Sequence, residues 1–200
     1  DVYKRQLLYQ PAVNFMGDFL RAGKLGQVYT LHQRRSKLGR IRREENVMWS
    51  FGVHDVAVLL VLAGESPDQI EAWGHAAITP GVEDDTYLHL GFPSGVKATL
   101  HNSWLWPRME RELIVGGEKG MLVFDEAGSK VVMHHKVVDL EGNHHDRGEE
   151  ILFEGSAQPL RLELEHFLQC CRERKGPVSD GRNGFETVRV LEEAEKVMRK

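Results

Sequence analysis

The chain has 200 residues, 41% of them hydrophobic and 28% charged, enough apolar content to bury one core and form one domain. A net charge of -4 with both signs interspersed speaks against a nucleic-acid binder, and no apolar run approaches the roughly 20 residues that span a bilayer. The start, Asp1-Val-Tyr-Lys-Arg-Gln6, is too polar for a secretory signal, and the adjacent Cys170 and Cys171 cannot form an ordinary bridge, which fits a reducing, cytoplasmic setting.

Residues 1–6 are expected to be a non-native or disordered leader to a single domain over 7–200, which opens on a strand end at Leu7-Leu8-Tyr9. Pro11 suits the first turn of a helix. Val13, Phe15, Met16, Phe19 and Leu20 follow at helical spacing, and Gly23 stops the run. Residues 27–34 alternate as a strand, and a polar loop over 36–46 leads to a strongly apolar helix that ends at Gly64. From Asp68 to Phe153 short strands follow one another over 69–77, 85–92, 96–104, 110–116, 121–125, 130–135 and 150–153. Breaks such as Thr79-Pro-Gly81, Pro93-Ser-Gly95 and Glu141-Gly-Asn143 separate them. Connections this tight require antiparallel neighbours. Two helices, 159–174 and 183–199, close the chain. Helices at both ends of a block of strands predict an α+β fold, a mostly antiparallel open sheet with helices packed on one face. No Gly-x-Gly-x-x-Gly turn occurs, so the chain has no dinucleotide-binding unit of its own.

The chemistry concentrates where the polar loop meets the second helix. His54 and Asp55 stand at the head of that apolar helix, behind a loop bearing Arg34, Arg35, Lys37, Arg40, Arg42 and Arg43 and ending at Asn46. An imidazole exchanges protons near neutrality, and arginine forks suit phosphate or carboxylate, so an anionic substrate beside a proton-transfer group is one reading. The other is a buried histidine, a solvated loop and an Asp55 that serves the helix terminus. Ser50, four residues before His54, shares its helical face. Trp104 and Trp106 are expected on one sheet face, either walling a sugar or base or packing there. His134-His135 and His144-His145 flank a turn without the acidic or cysteine partners of a tetrahedral site, so no metal is expected. The cysteine pair reads as packing. Alternation in 96–104 and 110–116 predicts an apolar outer sheet face suited to a homo-oligomeric interface.

Leu7-Leu-Tyr-Gln-Pro-Ala-Val13, Gly23-Lys-Leu-Gly-Gln-Val28, Glu45-Asn-Val-Met-Trp-Ser-Phe-Gly-Val-His-Asp55 and Gly64-Glu-Ser-Pro67 resemble the C-terminal half of the Gfo/Idh/MocA oxidoreductases. So do Gly116-Gly-Glu-Lys-Gly-Met-Leu-Val-Phe-Asp125 and Pro159-Leu-Arg-Leu-Glu-Leu-Glu-His-Phe167. The loop Leu38-Gly-Arg-Ile-Arg42 before the histidine motif is similar to the branch of UDP-N-acetylglucosamine and UDP-N-acetylglucosaminuronate 3-dehydrogenases. The resemblance implies an NAD- or NADP-dependent dehydrogenase acting on a ring hydroxyl of a sugar or nucleotide sugar. His54 would take the hydroxyl proton, and Ser50 stands where the family often has Asp. Arg40, Arg42, Arg43, Asn46 and Trp104 would meet substrate, and Tyr9 and Gln10 would reach the coenzyme. It also implies that the Rossmann half is missing here, with its Glu-Lys-Pro lysine, and that the fragment alone is inactive. A dehydrogenase domain for a free polyol or simple sugar, and a non-catalytic binding or assembly module, remain the alternatives.

Overall fold

The computed structural model describes residues 6–155 and 158–199. Eight strands form one sheet: β1 (Val28–Ser36), β2 (Gln69–His75), β3 (Asp85–Gly91), β4 (Lys97–Ser103), β5 (Glu110–Gly117), β6 (Gly120–Asp125), β7 (Lys130–Val138) and β8 (His144–Glu154). Their spatial order is β2-β3-β4-β1-β5-β6-β7-β8. Every pairing is antiparallel except that of β1 with β4, where Leu31 lies opposite Ala98 and Arg35 opposite Asn102. The helices are α1 (Pro11–Arg21), α2 (Val53–Ala63), α3 (Pro159–Glu173) and α4 (Gly181–Met198). This is the α+β architecture that the pattern of elements predicted.

Period-2 alternation builds the core between sheet and helices. Leu31, Ala98, Leu100, Leu113, Val115, Leu122, Phe124 and Val131 all point to the helix side and are buried. α2 is apolar around its whole circumference because it is enclosed on nearly every side, from Val56 to Leu60. Gly64 ends it in a left-handed conformation (φ 74°), its N–H donating to the Leu60 carbonyl at 2.9 Å. α4 packs on α2 and β2, and α1 reaches the far strands, where Phe15 meets Phe153 with ring centroids 5.6 Å apart. α3 is different. It buries only Glu163 among its residues, while Leu160, Leu164, Phe167 and Leu168 are exposed along one side. No described helix is long and apolar enough to cross a membrane.

Several expectations change. The expected leader lies outside the described residues except for Gln6, which opens a 3-10 helix over Gln6–Tyr9 in place of a strand end. Leu8 and Tyr9 are buried where this turn packs on α2 and α3, a position with no sheet edge to join. β8 starts six residues earlier than expected, at His144, because it extends the β7 ladder through an exposed hairpin. The paired histidines are held there by carboxylates: His134 by Glu149 at 3.3 Å, His135 by Glu150 at 3.6 Å and His145 by Asp139 at 2.8 Å.

The outer sheet face is mixed instead of apolar. Alternation sends Leu100 and Leu113 inward and puts Thr99, Arg34, Glu112 and His101 on the outer face, where Tyr87 and Trp106 cover the His101 ring. Only across β5–β8 does the register line up an apolar row, Ile114, Val123, Val132 and Ile151. Nor do the cysteines pack in the core. Cys171 is exposed, and the Cys170 sulfur lies 3.4 Å from His166 Nε2.

Candidate active site

The polar loop and α2 are joined by a π-helical turn, Met48–Gly52, so the helical run begins before His54. Asn46 starts it. Its Oδ1 accepts the Trp49 N–H at 3.1 Å, its carbonyl accepts the Ser50 N–H at 3.1 Å, and its Nδ2 donates to Glu83 Oε2 at 2.7 Å. The expected role of Asn46 at substrate meets a side chain that is buried and committed to holding this turn, outside both cavities described below. Gly52 lets the turn press onto β4, since a Cβ there would stand 2.7 Å from Asn102 Oδ1.

Two cavities flank the turn. One, of about 850 Å³, is lined by Lys37, Arg40, Arg42, Arg43, Phe51 and Trp104, with Glu44, Glu45 and Ser50 completing its polar wall. The second, of about 340 Å³, contains His54 with Gln10, Arg35, Arg111, Glu126 and Pro159. Lys37, Arg42, Ser50 and Phe51 belong to both, so the imidazole and the basic loop open on a shared wall. Arg42 is ion-paired with Glu45. Arg40 and Arg43 have no carboxylate partner among the described residues, which leaves net positive charge for an anion.

Asp55 does not serve the helix terminus. It is fully buried: Oδ1 accepts from Arg35 Nε at 2.8 Å, and Oδ2 from Asn102 Nδ2 at 3.1 Å. Arg35 also donates to Glu126 Oε2 at 2.9 Å, and Glu126 Oε1 accepts from Arg111 at 2.8 Å. Burial opposes the Arg35 charge, and the two carboxylates more than offset it, so its pKa is raised above the ordinary guanidinium value. This chain of charges ties the start of α2 to β1, β4 and the β5–β6 ribbon directly beneath the His54 cavity. Asp55–Asn102 and Arg35–Glu126 join residues far apart in sequence, so only the inward parity of Arg35 in β1, which it shares with Leu31 and Gln33, could have announced them.

The remaining expected residues divide. His54 and Ser50 lie on one cavity wall, and Gln10 joins them. Tyr9, expected at the coenzyme, is buried, with its hydroxyl 2.8 Å from Ser179 Oγ and its ring against His166. Trp104 and Trp106 fall on opposite sides, because β4 ends at Ser103 and the chain turns. Trp104 stays on the helix side, edge-on to Phe51, whereas Trp106 sits edge-on to outward-facing His101 and under Arg34.

The one parallel pairing among the described residues, β1 with β4, is not linked by a glycine-rich turn into a helix, so no pyrophosphate cradle of that kind is built.

A model of the GFO/IDH/MocA C-terminal domain matches residues 14–123. The chain is 27% identical over 131 residues to 2,7-anhydro-N-acetylneuraminate hydratase of Escherichia coli strain K12, covering 56% of this chain and 34% of that protein. Among solved structures, UDP-N-acetylglucosamine 3-dehydrogenase from Acidithiobacillus ferrooxidans superposes with a TM-score of 0.80 at 19% identity, over 96% of this chain and 59% of that one. Aldose-aldose oxidoreductase from Caulobacter crescentus, complexed with glycerol, gives 0.78 at 21% identity, over 98% and 61%. The chain thus spans about a third of the hydratase and about three-fifths of the two solved structures.

Proposed function

Because the chain belongs to the GFO/IDH/MocA family through its C-terminal domain, we propose that it forms the substrate-binding and proton-transfer half of a dehydrogenase acting on an anionic sugar. The structural neighbours named above are oxidoreductases, which supports oxidoreduction as the reaction class. The observation that carries the finer reading is the shared wall of the two cavities, with His54 on one side and Arg40 and Arg43 on the other. A sugar ring at His54 would place an attached phosphate or carboxylate among the arginines.

In this reading His54 removes the proton from the ring hydroxyl that becomes a carbonyl, and Ser50 beside it orients the ring or the hydroxyl. NAD or NADP supplies the hydride acceptor in this family. With no glycine-rich turn after a strand among the described residues, the coenzyme would be held mainly by a Rossmann half outside this chain, and residues 7–200 alone would be inactive. An anionic N-acetylated sugar such as UDP-N-acetylglucosamine is the first substrate to try, in a cytoplasmic setting.

The experiment is His54→Asn in the intact protein, assayed by coenzyme reduction. We expect kcat to fall by roughly 10²–10⁴ with KM little changed. Turnover within a few-fold of wild type would remove His54 from the reaction. A sugar without phosphate or carboxylate that binds equally well would favour the free-polyol reading instead. The E. coli relative's name supports one further reading, net hydration of an acidic sugar, which would show as product formed without net coenzyme reduction.

A further inference from the structure

Three of the cations around the shared wall are paired with carboxylates. Arg34 pairs with Glu110 at 3.0 Å, Arg35 with Asp55 and Glu126, and Arg42 with Glu45. Lys37, like Arg40 and Arg43, has no carboxylate partner among the described residues, and of these three it alone lines both cavities. It directly follows β1, and its N–H donates to the Ser103 carbonyl at 3.0 Å, so its backbone is fixed beside the end of β4. Its half-buried side chain faces the helix side and lines both cavities. The ammonium rests over the Phe51 ring, 5.8 Å from the centroid, and has no carboxylate partner among the described residues. A ring face stabilises a cation while leaving its other donors unused.

We propose that Lys37 binds the anionic oxygen closest to the reacting ring, a phosphate or carboxylate oxygen carried by the sugar. The proposal deepens the anionic-sugar reading above and rests on it. Geometry separates the roles: Arg40 and Arg43 line only the larger cavity and would meet the distal part of the ligand, whereas Lys37 stands at the wall that this cavity shares with His54. A compact ammonium suits a single oxygen whose orientation the sugar dictates, while the arginine forks suit a terminal group approached in plane. Lys37 is therefore a binding residue that sets where the ring stops relative to His54.

The test is calorimetric titration of the intact protein with UDP-N-acetylglucosamine, N-acetylneuraminate and uncharged N-acetylglucosamine, for wild type, Lys37→Met, Lys37→Arg and Arg40→Ala. Loss of one charge-assisted contact should weaken a charged probe by roughly 10- to 100-fold in Lys37→Met and leave N-acetylglucosamine within about two-fold. Lys37→Arg should recover part of the loss. The charged probe that responds identifies the group as phosphate or carboxylate. If Lys37→Met keeps the affinity that Arg40→Ala loses, the Lys37 assignment is overturned and the anion reading stands. If wild type shows no preference for either charged probe over N-acetylglucosamine, both are overturned. Thermal melting of each variant checks folding, which an unpaired, half-buried lysine should not disturb.

Discussion

Breaking the Asp55–Arg35 pair tests whether the candidate site rests on a preformed polar foundation. Asp55 has no exposed surface and the Arg35 side chain is 10% exposed, so water cannot replace either partner. Asp55→Ala leaves the guanidinium with Glu126 at 2.9 Å as its one remaining carboxylate. That places the cost near the lower end of the range for orphaning a buried charge, about 3 kcal/mol. Arg35→Met is harsher, because Asp55 retains only the Asn102 amide, and about 4–5 kcal/mol is expected. Removing both leaves no orphaned charge, since Glu126 keeps Arg111 at 2.8 Å, and the buried Asn102 amide keeps the Arg35 carbonyl at 3.5 Å. The double variant should therefore cost no more than the worse single, a coupling of about 3 kcal/mol. Urea unfolding should show a lowered midpoint at unchanged slope, and the melting temperature of Asp55→Ala should fall by about 6–12 °C. A single-variant loss below about 1 kcal/mol, or an additive double, would refute the argument that the pair is held as a closed buried unit.

Two further outcomes follow from the far strands. The Asp139 carboxyl is held down to about 2 from 3.8 by the His145 hydrogen bond and by the Asn143 amide. A depressed carboxylate stabilises the β7–β8 turn above pH 3.8 and loses that contribution as pH falls toward 2, so the Asn143 amide resonance should titrate with a midpoint near 2. A midpoint near 3.8 would show that the turn does not form in solution. On the sheet's outer face, the row Ile114, Val123, Val132 and Ile151 is the part apolar enough for a subunit contact. Light scattering should give an oligomer that Val123→Glu dissociates, whereas a monomeric wild type counts against any interface there.

Much of the architecture was legible because punctuation and periodicity are local. Pro11 and Pro159 open α1 and α3, Gly64 closes α2, and the Gly-containing turns bound most strands within a few residues. Strand order was not legible, because the parallel β1–β4 pairing is decided by which remote apolar faces cover α2. The candidate site divides in the same way. His54, Ser50 and the arginine loop sit close in sequence and meet in space. Asn46 looked like a ligand-binding amide, but a buried amide at the start of a helical turn is drawn to cap it. Trp106 leaves its expected face because β4 stops at Ser103, a boundary that alternation alone does not mark. Lys37 was visible within the basic loop but did not stand out there. What distinguishes it from Arg40 and Arg43, which also lack a carboxylate partner among the described residues, is its place on the wall of both cavities over Phe51, and that depends on how the loop folds.

The π-helical turn at Met48–Gly52 sets how the site tolerates changes in chain length. Downstream, α2 is locked in azimuth by its enclosed apolar surface, and upstream Asn46 is locked by Glu83. Six residues, 47–52, fill the arc between two fixed ends, and Ser50 and Phe51 are presented to both cavities from its crest. Deleting one residue there would demand about 100° of rotation somewhere along the run, swinging His54 off its wall or pulling Asn46 from its anchor. Substitutions within the turn can vary the surface offered to a ligand, but its residue count is a fixed dimension of the site, as a strut length is of a frame.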